Sequence, residues 1–584
     1  MKRIAVIRKE DCHPFKCGGY LCIRVCPVNR TGTDCIVVGE DKKAKIIEET
    51  CIGCNICVHK CPFDAISIIN LPEALSGNPV HRYSENGFSL YSIPIPIFGK
   101  VVGILGKNGI GKSTAIKILA GIIKPNFGNF EKEHSQQEII NFFKGTEAQA
   151  FFEKLNDREI IVSYKPQQVD LIPKTVKGTV GDLLKKVDEK NMFDEIVEKL
   201  GLKDILGNDI STISGGELQR VAIAAAVMKK ANVYIFDEPT SYLDIKQRIS
   251  VSKFIKELAD ENTAVVVVEH DLIILDYMTD LVHIIYGQET EYGVVSMPKA
   301  VRTGINIYLS GFLKEENVRF RDKAIRFEPK PPIEVKRLNE LISWNSIKKK
   351  LGTFELISKS GKLFKGMVCG VVGENGIGKT TFVKILAEVI KQDSGEINQK
   401  LKVAYKPQYL DSDSEEMVAN ILEEAKKYDN QLMKPLGIHK LMNKQINQLS
   451  GGELQRVAIA LCLSKEADLF LLDEPSAYLD VEQRLLVSKI IRDFMEMQGK
   501  TALIVDHDLL FIDYLSEQLI VFSGEPALRG LVQGPFSMAV GMNSFLQEIS
   551  ITMRRDEENK RPRINKPGSV KDREQREAGK MYYV

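Results

Sequence analysis

One eight-residue loop, Gly106–Lys107–Asn108–Gly109–Ile110–Gly111–Lys112–Ser113, limits what this chain can fold into more than any other stretch. It fits the pattern G-x-x-x-x-G-K-[S/T]. The apolar run Val101–Leu105 precedes it and reads as a buried strand; the run Thr114–Ala120 follows with a helical pattern. Strand, loop and helix in that order are what a phosphate-binding P-loop needs. Glycines let the backbone curl so that its N–H groups converge on phosphate oxygens, and the helix N-terminus adds positive partial charge. Lys112 is then placed to reach the β- and γ-phosphates, and Ser113 to hold Mg²⁺. A second such loop follows in the same chain, Gly373–Glu374–Asn375–Gly376–Ile377–Gly378–Lys379–Thr380. Its recurrence makes a mere glycine turn a poor account of the first.

With 584 residues the chain exceeds what one core supports and predicts several domains. Its net charge of +2 means that any basic binding surface is local. No apolar run approaches the length of a membrane span, and no secretory signal is visible. The eleven cysteines are unevenly placed: nine fall between residues 12 and 61. Cys369 and Cys462 sit alone in apolar runs and read as small core residues. Such a cluster, without a signal, argues for metal binding in a reducing compartment and not for disulfides.

Within that cluster, Cys51-x2-Cys54-x2-Cys57-x3-Cys61-Pro62 is the spacing of bacterial [4Fe–4S] ferredoxins. Three thiolates of such a run wrap one cube and the fourth reaches a second. A companion run is present, Cys12-x4-Cys17-x4-Cys22-x3-Cys26-Pro27. The expected sets are Cys12, Cys17, Cys22 with Cys61, and Cys51, Cys54, Cys57 with Cys26. Cys35 is left over and is expected to be a free, partly buried thiol. Zinc is the competing metal, but zinc sites seldom show this spacing before proline. The clusters either carry electrons or staple a segment too short for a large core. No flavin or second redox motif follows, which favours the staple. Arg24, Arg30, Lys42, Lys43, Lys45 and Lys60 decorate this segment, as a solvated face or as a nucleic-acid contact.

Beyond the first P-loop, further pieces follow in a fixed order. Tyr164–Lys165–Pro166–Gln167 ends a strand-like run. Ser214–Gly215–Gly216–Glu217–Leu218–Gln219–Arg220 opens a helix with serine at the N-cap. The apolar run Val233–Phe236 ends in Asp237–Glu238–Pro239. A carboxylate at such a strand end suits Mg²⁺, here through Asp237. Glu238 is placed to orient or deprotonate an attacking water. Ser241–Tyr242–Leu243–Asp244 follows, and Ala264–Val268 leads to Glu269–His270–Asp271, where a histidine can contact a γ-phosphate. Together these resemble the ATP-binding-cassette (ABC) ATPases.

The second copy is complete. Tyr405–Lys406–Pro407–Gln408, Ser450–Gly451–Gly452–Glu453–Leu454–Gln455–Arg456, Asp473–Glu474–Pro475, Ala477–Tyr478–Leu479–Asp480 and Asp506–His507–Asp508 recur in order. The signature serine precedes the aspartate by 23 residues in both copies, Ser214 to Asp237 and Ser450 to Asp473. The first copy carries an insertion near 131–158 rich in Ile139, Ile140, Phe142, Phe143, Phe151, Phe152 and Leu155. It reads as helix, Gly145 turn, helix. So many aromatics on a short exposed hairpin predict a partner-docking element; a tolerated surface insertion is the alternative. The linker 303–334 lacks a clear periodic pattern. It carries Arg319, Arg321, Lys323, Arg326 and Lys330, and its Gly304–Ile305–Asn306 start is echoed by Gly541–Met542–Asn543 near the tail. Paired copies suggest a hinge along one edge, with basic residues available for RNA phosphates.

The whole arrangement resembles the E subfamily of ABC proteins, the archaeal and eukaryotic ribosome-recycling ATPases also called RNase L inhibitors. The resemblance implies an α/β chain with a ferredoxin-like α+β domain (1–72), a first nucleotide-binding domain (73–302), a hinge (303–334), a second nucleotide-binding domain (335–540), and a second hinge with a basic tail (541–584). It implies a monomer whose halves sandwich two ATPs, the signature serine of each half acting at the other half's P-loop: Lys112 with Ser450, Lys379 with Ser214. ATP is then held by Gly106, Asn108, Gly109, Gly111, Lys112, Ser113, Thr114, Gln167, Ser450 and Gly452 at one site. At the other it is held by Gly373, Asn375, Gly376, Gly378, Lys379, Thr380, Thr381, Gln408, Ser214 and Gly216. Mg²⁺ falls to Ser113, Gln167 and Asp237, and to Thr380, Gln408 and Asp473. Glu238 and Glu474 become general bases, with His270 and His507 at the γ-phosphates. Tyr83 and Phe354 are the adenine platforms. The implied function is cytoplasmic: clamping and splitting ribosomes with a release or Pelota-type factor, then staying on the small subunit, with initiation factors as further partners. The competing readings are an ATP-gated electron-transfer protein, an iron–sulfur assembly ATPase, and a non-catalytic RNase-inhibitor or ribosome-assembly scaffold. A transporter would need a membrane domain.

Overall fold

The computed structural model describes residues 3–70, 77–130, 133–327, 339–407 and 413–583. Two large twisted sheets dominate it, one per half, of nine and ten strands among the described residues. In the first, the P-loop strand Val101–Leu105 lies between parallel neighbours Ala264–Val268 and Leu281–Gln288. Val233–Asp237 and then Val162–Lys165 continue the parallel order. Every residue of Val101–Leu105, Val233–Asp237 and Ala264–Val268 is buried. Strands covered on both faces need continuous β-branched and apolar runs, which is what the sequence supplies. The second half repeats this around Val368–Val372, between Thr501–Val505 and Gln518–Glu525. The loops at the carboxyl ends of these strands carry the motifs, the usual ligand edge of an open α/β sheet.

The N-terminal unit is small. Arg3–Ile7 pairs antiparallel with Ile66–Asn70, Ile36–Val38 pairs with Ala44–Ile46, and short helices Leu21–Val25 and Ile56–Lys60 carry Cys22 and Cys57. It docks on the first half through Asn86, whose side chain takes the amide of Ile46 at 2.8 Å and donates to the carbonyls of Ile46 and Ala5 at 3.0 and 3.1 Å. Arg82 pairs with Glu48 beside it. Cys35 is only 1% exposed and belongs to this unit's core, so the expected partly buried thiol is a fully buried one. Of the basic residues noted in the sequence, Lys45 pairs with Glu85, Lys43 donates to the carbonyl of Cys12, and Arg24 to that of Gly18. Those three are tied to the protein.

Two further expectations need correction. The insertion is a helical hairpin, Gln136–Phe142 and Glu147–Asn156, but its aromatics do not form an exposed docking face. Phe143, Phe151 and Phe152 are buried; Phe143 stacks on Phe152 at 5.0 Å, and Phe151 meets Phe152 edge to face at 5.4 Å. Phe142, the most exposed, stacks on Phe127 at 4.1 Å. Each buried phenyl contributes about 1.5–3 kcal/mol to holding the hairpin against the first half. The linker is not patternless either: Val301–Ser310 is a helix, matched by Met538–Glu548 near the tail. The paired glycines explain themselves. A Cβ on Gly304 would lie 2.2 Å from Val282, and one on Gly541 2.8 Å from Leu519, so each helix presses its glycine onto the strand beside a P-loop strand. Linker and tail then bond to one another, Arg302 to Asp556 at 3.0 Å and Asn559 to Asn306 at 2.8 Å. Arg321, Arg561 and Arg563 are turned inward onto carboxylates, and these arginines are not available to RNA. Lys330 lies outside the described residues.

Candidate nucleotide sites

Each P-loop ends in a left-handed glycine, Gly111 at φ 96° and Gly378 at φ 94°, capping the helices Lys112–Leu119 and Lys379–Leu386. A Cβ on Gly111 would sit 2.6 Å from the Phe88 ring, and one on Gly378 2.8 Å from the Phe354 ring. Glycine is required twice over, by dihedral and by space. The observation also identifies an aromatic that sequence reasoning missed. Phe354 stands over its P-loop as expected, but its counterpart in the first half is Phe88. Tyr83 lies at the same cavity, 55% exposed, with its hydroxyl 3.0 Å from Thr114 Oγ1. The signal was available: Phe88 precedes Gly106 by nearly the spacing that separates Phe354 from Gly373.

Both P-loop lysines are buried and folded back onto their loops. Lys112 Nζ donates to the carbonyls of Lys107 and Gly106 at 2.6 and 3.0 Å; Lys379 Nζ donates to those of Gly373 and Glu374 at 2.7 and 3.0 Å. Burial lowers both ammonium groups, Lys379 to about 8. A buried cation held by backbone carbonyls is a ready partner for an anion. Thr380 Oγ1 donates to Asp473 Oδ2 at 3.1 Å, joining two of the expected Mg²⁺ ligands. Burial raises the Asp237 carboxyl to about 6, and raises Asp473 as well; a nearby cation would reverse both shifts. Ser113, Thr114 and Gln167 line the same cavity as Lys112. Gln408 lies outside the described residues.

Glu238 and Glu474 follow these aspartates at φ 47° each, a left-handed conformation that non-glycine residues rarely adopt. Gln167 donates to Glu238 at 2.7 Å and His270 Nε2 is 3.4 Å away. Burial opposes the Glu238 charge, but His270, then Lys112, outweigh it and hold the carboxyl down to about 2. At Glu474, burial wins, aided by Asp506 and Asp473, and the carboxyl is pushed up to about 7. His507 Nε2 is 3.7 Å from Glu474, and burial holds its imidazole well below the usual range. Two supporting pairs were not anticipated. Lys165 and Lys406 donate to the carbonyls of Asp237 and Asp473 at 3.0 and 2.8 Å. Gln219 and Gln455 of the signature helices donate to those of Glu238 and Glu474 at 2.6 and 2.7 Å.

The halves meet face to face. Asp480 of the second half accepts from the Asn108 amide of the first P-loop at 3.1 Å, and Asp244 of the first accepts from the Asn375 amide of the second at 3.0 Å. A cavity of about 2260 Å³ runs between them, with Lys112 and Glu238 on one wall and Ser450 and Gly452 on the other. Ser214 and Ser450 are helix N-caps with complete capping boxes to Glu217 and Glu453; the boxes occupy the amides of those four residues, so the N–H groups each signature can offer an anion are those of Gly215 and Gly216, and of Gly451 and Gly452.

Among the described residues no three cysteines are drawn together tightly enough to form a metal site, but cysteines of each expected set feel one another's charge. Burial pushes the Cys22 thiol up to about 11, with Cys12, Cys17 and Cys61 adding to the rise. Burial likewise raises Cys57 to about 12, with Cys51 and Cys54 contributing. The buried thiol of Cys35 lies against Cys26 and Cys51. Cys26, Cys35 and Cys57 are buried, Cys54 is exposed and the other five of this unit are half-buried, and thiol sulfurs of this kind have the donor chemistry an iron–sulfur cluster takes.

Comparison with known proteins agrees with this geometry. The ABC transporter family matches residues 98–241 and 358–477. A possible Fer4-like domain in RNase L inhibitor matches 3–34, and a 4Fe-4S binding domain matches 44–67. ABC transporter E family member 1 of Arabidopsis thaliana is 44% identical over 100% of this chain and 99% of its own length. Translation initiation factor RLI1 of Saccharomyces cerevisiae is 44% identical over 100% of this chain and 98% of its own. A solved structure described as ribosome-bound archaeal Pelota and ABCE1 superimposes with a TM-score of 0.94 at 52% identity, covering 100% of this chain and 99% of that one. Two ABC ATPase domains in tandem behind a 4Fe–4S domain, matched over their full length, make this chain a member of the E family of ABC proteins, the RNase L inhibitor family.

Proposed function

We propose that this chain is an ATPase that hydrolyses ATP at two composite sites and uses the resulting closure and opening to split ribosomes into subunits. The reciprocal contact of Asp480 with Asn108 and Asp244 with Asn375 carries this reading. It ties each P-loop to the opposite half, so nucleotide bound at either loop bears on how the halves meet. Lys112 and Lys379 turn from their own carbonyls to the phosphates. Ser450 and Ser214 offer helix N-termini to the γ-phosphates from across the interface. Closure is then favoured by contacts that exist only in the closed state, a population shift by differential affinity. Mg²⁺ would be held by Ser113, Gln167 and Asp237, and by Thr380, Gln408 and Asp473, and would neutralise phosphate charge. Glu238 and Glu474 accept the proton of the attacking water, with His270 and His507 beside them. Phe88 and Phe354 stack the two adenines, with Tyr83 at the edge of the first. Two [4Fe–4S] clusters, on Cys12, Cys17, Cys22, Cys61 and on Cys51, Cys54, Cys57, Cys26, would staple a unit whose own core is small.

The partners proposed are the ribosome, chiefly its small subunit, and a release or Pelota-type factor, in the cytoplasm. The similar solved structure described as ribosome-bound with Pelota supports this, as does likeness to a translation initiation factor. No helix among the described residues is long and apolar enough to cross a membrane. The test is a sucrose gradient of ribosomes incubated with the protein, ATP and a release factor. Subunits should replace whole ribosomes, with the protein on the small subunit. Intact ribosomes without co-migration would overturn the reading. The platform is tested separately. Phe88→Ala should weaken ATP at the first site by about 1–3 kcal/mol, the worth of stacking a base. Tyr83→Ala should cost less; a nucleotide titration in which Tyr83 matters more would reverse the two.

A further inference from the structure

The second residue of each P-loop carries a charge: Lys107 in the first, Glu374 in the second. Neither points into its own half. Lys107 Nζ lies 2.9 Å from Glu482, two residues beyond Asp480 in the second half. Glu374 lies 2.7 Å from Lys246 Nζ, two residues beyond Asp244 in the first half. The positions are equivalent in the repeat and the signs are exchanged. Half one presents lysine at both; half two presents glutamate at both. A half facing a copy of itself would bring lysine to lysine, or glutamate to glutamate.

The first pair also reaches a hinge. Glu482 accepts from Arg321 Nε at 3.0 Å, and Arg321 donates in turn to the carbonyl of Leu309 at the end of the linker helix. The guanidinium is 4.9 Å from the Tyr308 ring centroid, and its side chain is 9% exposed. At the other pair, Glu548 at the end of the tail helix interacts with both Lys246 and Glu374; burial raises its carboxyl, and so does Glu374. The first array runs positive–negative–positive (Lys107, Glu482, Arg321); the second is the pair of opposite sign, Glu374 with Lys246, with the Glu548 carboxylate near enough to feel both charges.

We propose that these arrays are charge-inverted clasps. Each holds a P-loop to the opposite half, the first also reaches the linker through Arg321, and Lys246, Glu374, Glu482 and Arg321 are positioning residues for closure. The proposal rests on the reading of the two loops as ATP sites. An isolated exposed ion pair contributes little. These pairs sit one residue from Asn108 and Asn375 and two from Asp480 and Asp244, beside the backbone contacts Asp480–Asn108 and Asp244–Asn375, where a small displacement moves the whole phosphate loop.

The test uses the full-length, cluster-loaded protein with one spin label on each half, and reads the closed fraction by pulsed distance measurement in saturating ATP. Lys246→Glu and Glu374→Lys singly should each lower the closed-to-open ratio at least fivefold. The exchanged pair Lys246→Glu/Glu374→Lys should recover it to within twofold, which a purely structural role would not. Arg321→Gln should lower the ratio while ATP still binds. Lys246→Gln, the uncharged variant, should fall between wild type and Lys246→Glu even if a reversed charge misfolds. An exchanged pair no better than the worse single variant would overturn the clasp while leaving the ATP sites standing. Wild type that fails to bind a fluorescent ATP analogue would remove both readings.

Discussion

Protein carrying Glu238→Gln and Glu474→Gln together should turn over ATP about 10²–10⁴-fold more slowly than wild type, the usual worth of a positioned base, and should accumulate with its halves closed. Both glutamates sit where an unusual backbone fixes them. At φ 47° the chain turns sharply after the aspartate, and the Glu238 and Glu474 amides are anchored to the carbonyls of Val268 and Val505 at 2.9 and 2.7 Å. Gln219 and Gln455 hold the glutamate carbonyls from the other side. Glutamine has the same shape and can replace the carboxylate as acceptor, so binding and closure survive while proton acceptance is lost. Steady-state phosphate release and the interspin distance, measured on the same sample, check both halves of the expectation. Normal turnover in the double variant would remove these residues from the chemistry. Each single variant should leave the other site working, because the two glutamates lie in separate composite sites.

Replacing Arg561 by alanine should destabilise the packing of the tail on the first half by about 3–5 kcal/mol, the penalty for breaking a buried ion pair. The Arg561 side chain is 0% exposed, donates to the carbonyl of Leu272 at 3.2 Å, and reaches Asp276 at 3.1 Å. Arg563 shares the same carboxylate, its guanidinium 2.9 Å from Asp276 Oδ1. Asp276 belongs to the helix Leu272–Met278, which follows directly on His270 and Asp271. Losing Arg561 opens a cavity and removes one of two cations from a buried carboxylate. Hydrogen exchange should quicken in Leu272–Met278 and in the strand Pro562–Ile564, while the cysteine unit stays protected. Unchanged exchange in both segments would count against a structural role for the tail arginines. For Arg561 and Arg563 this corrects the sequence reading, in which tail basicity pointed outward to RNA; Arg554, Lys560, Lys566, Arg573 and Lys580 stay exposed.

That reversal shows where sequence reading stops. Arg302, Arg321, Arg561 and Arg563 stand in or beside basic runs, and basic runs usually face solvent. Only the tertiary structure brings Asp276, Glu482 and Asp556 against them, from segments up to 287 residues away. The insertion fails for the same reason: seven apolar side chains in a polar hairpin look like a binding face until Phe127 and the neighbouring core are packed on them. Phe88 and Tyr83 are both aromatics upstream of the first P-loop. Which one stands over Gly111 depends on the pairing of Ser89–Tyr91 with Tyr292–Val295, a register no local pattern encodes.

By itself the sequence determined the two P-loop strands and their helices, the signature N-caps, the acidic strand ends, the ferredoxin-type cysteine spacing and the internal repeat. These are legible because their chemistry is local: a helix cap, a glycine turn or a run of cluster ligands is written in a few consecutive residues. The tertiary structure alone decided that Asp480 reaches Asn108, that Lys107 and Glu374 find opposite charges across the interface, that Cys35 is core, and that Glu238 and Glu474 differ in electrostatics despite identical neighbours in sequence. Each of those depends on burial and on partners far away in the chain, and the free energy of a buried charge is set by what surrounds it in space, not by what adjoins it in sequence.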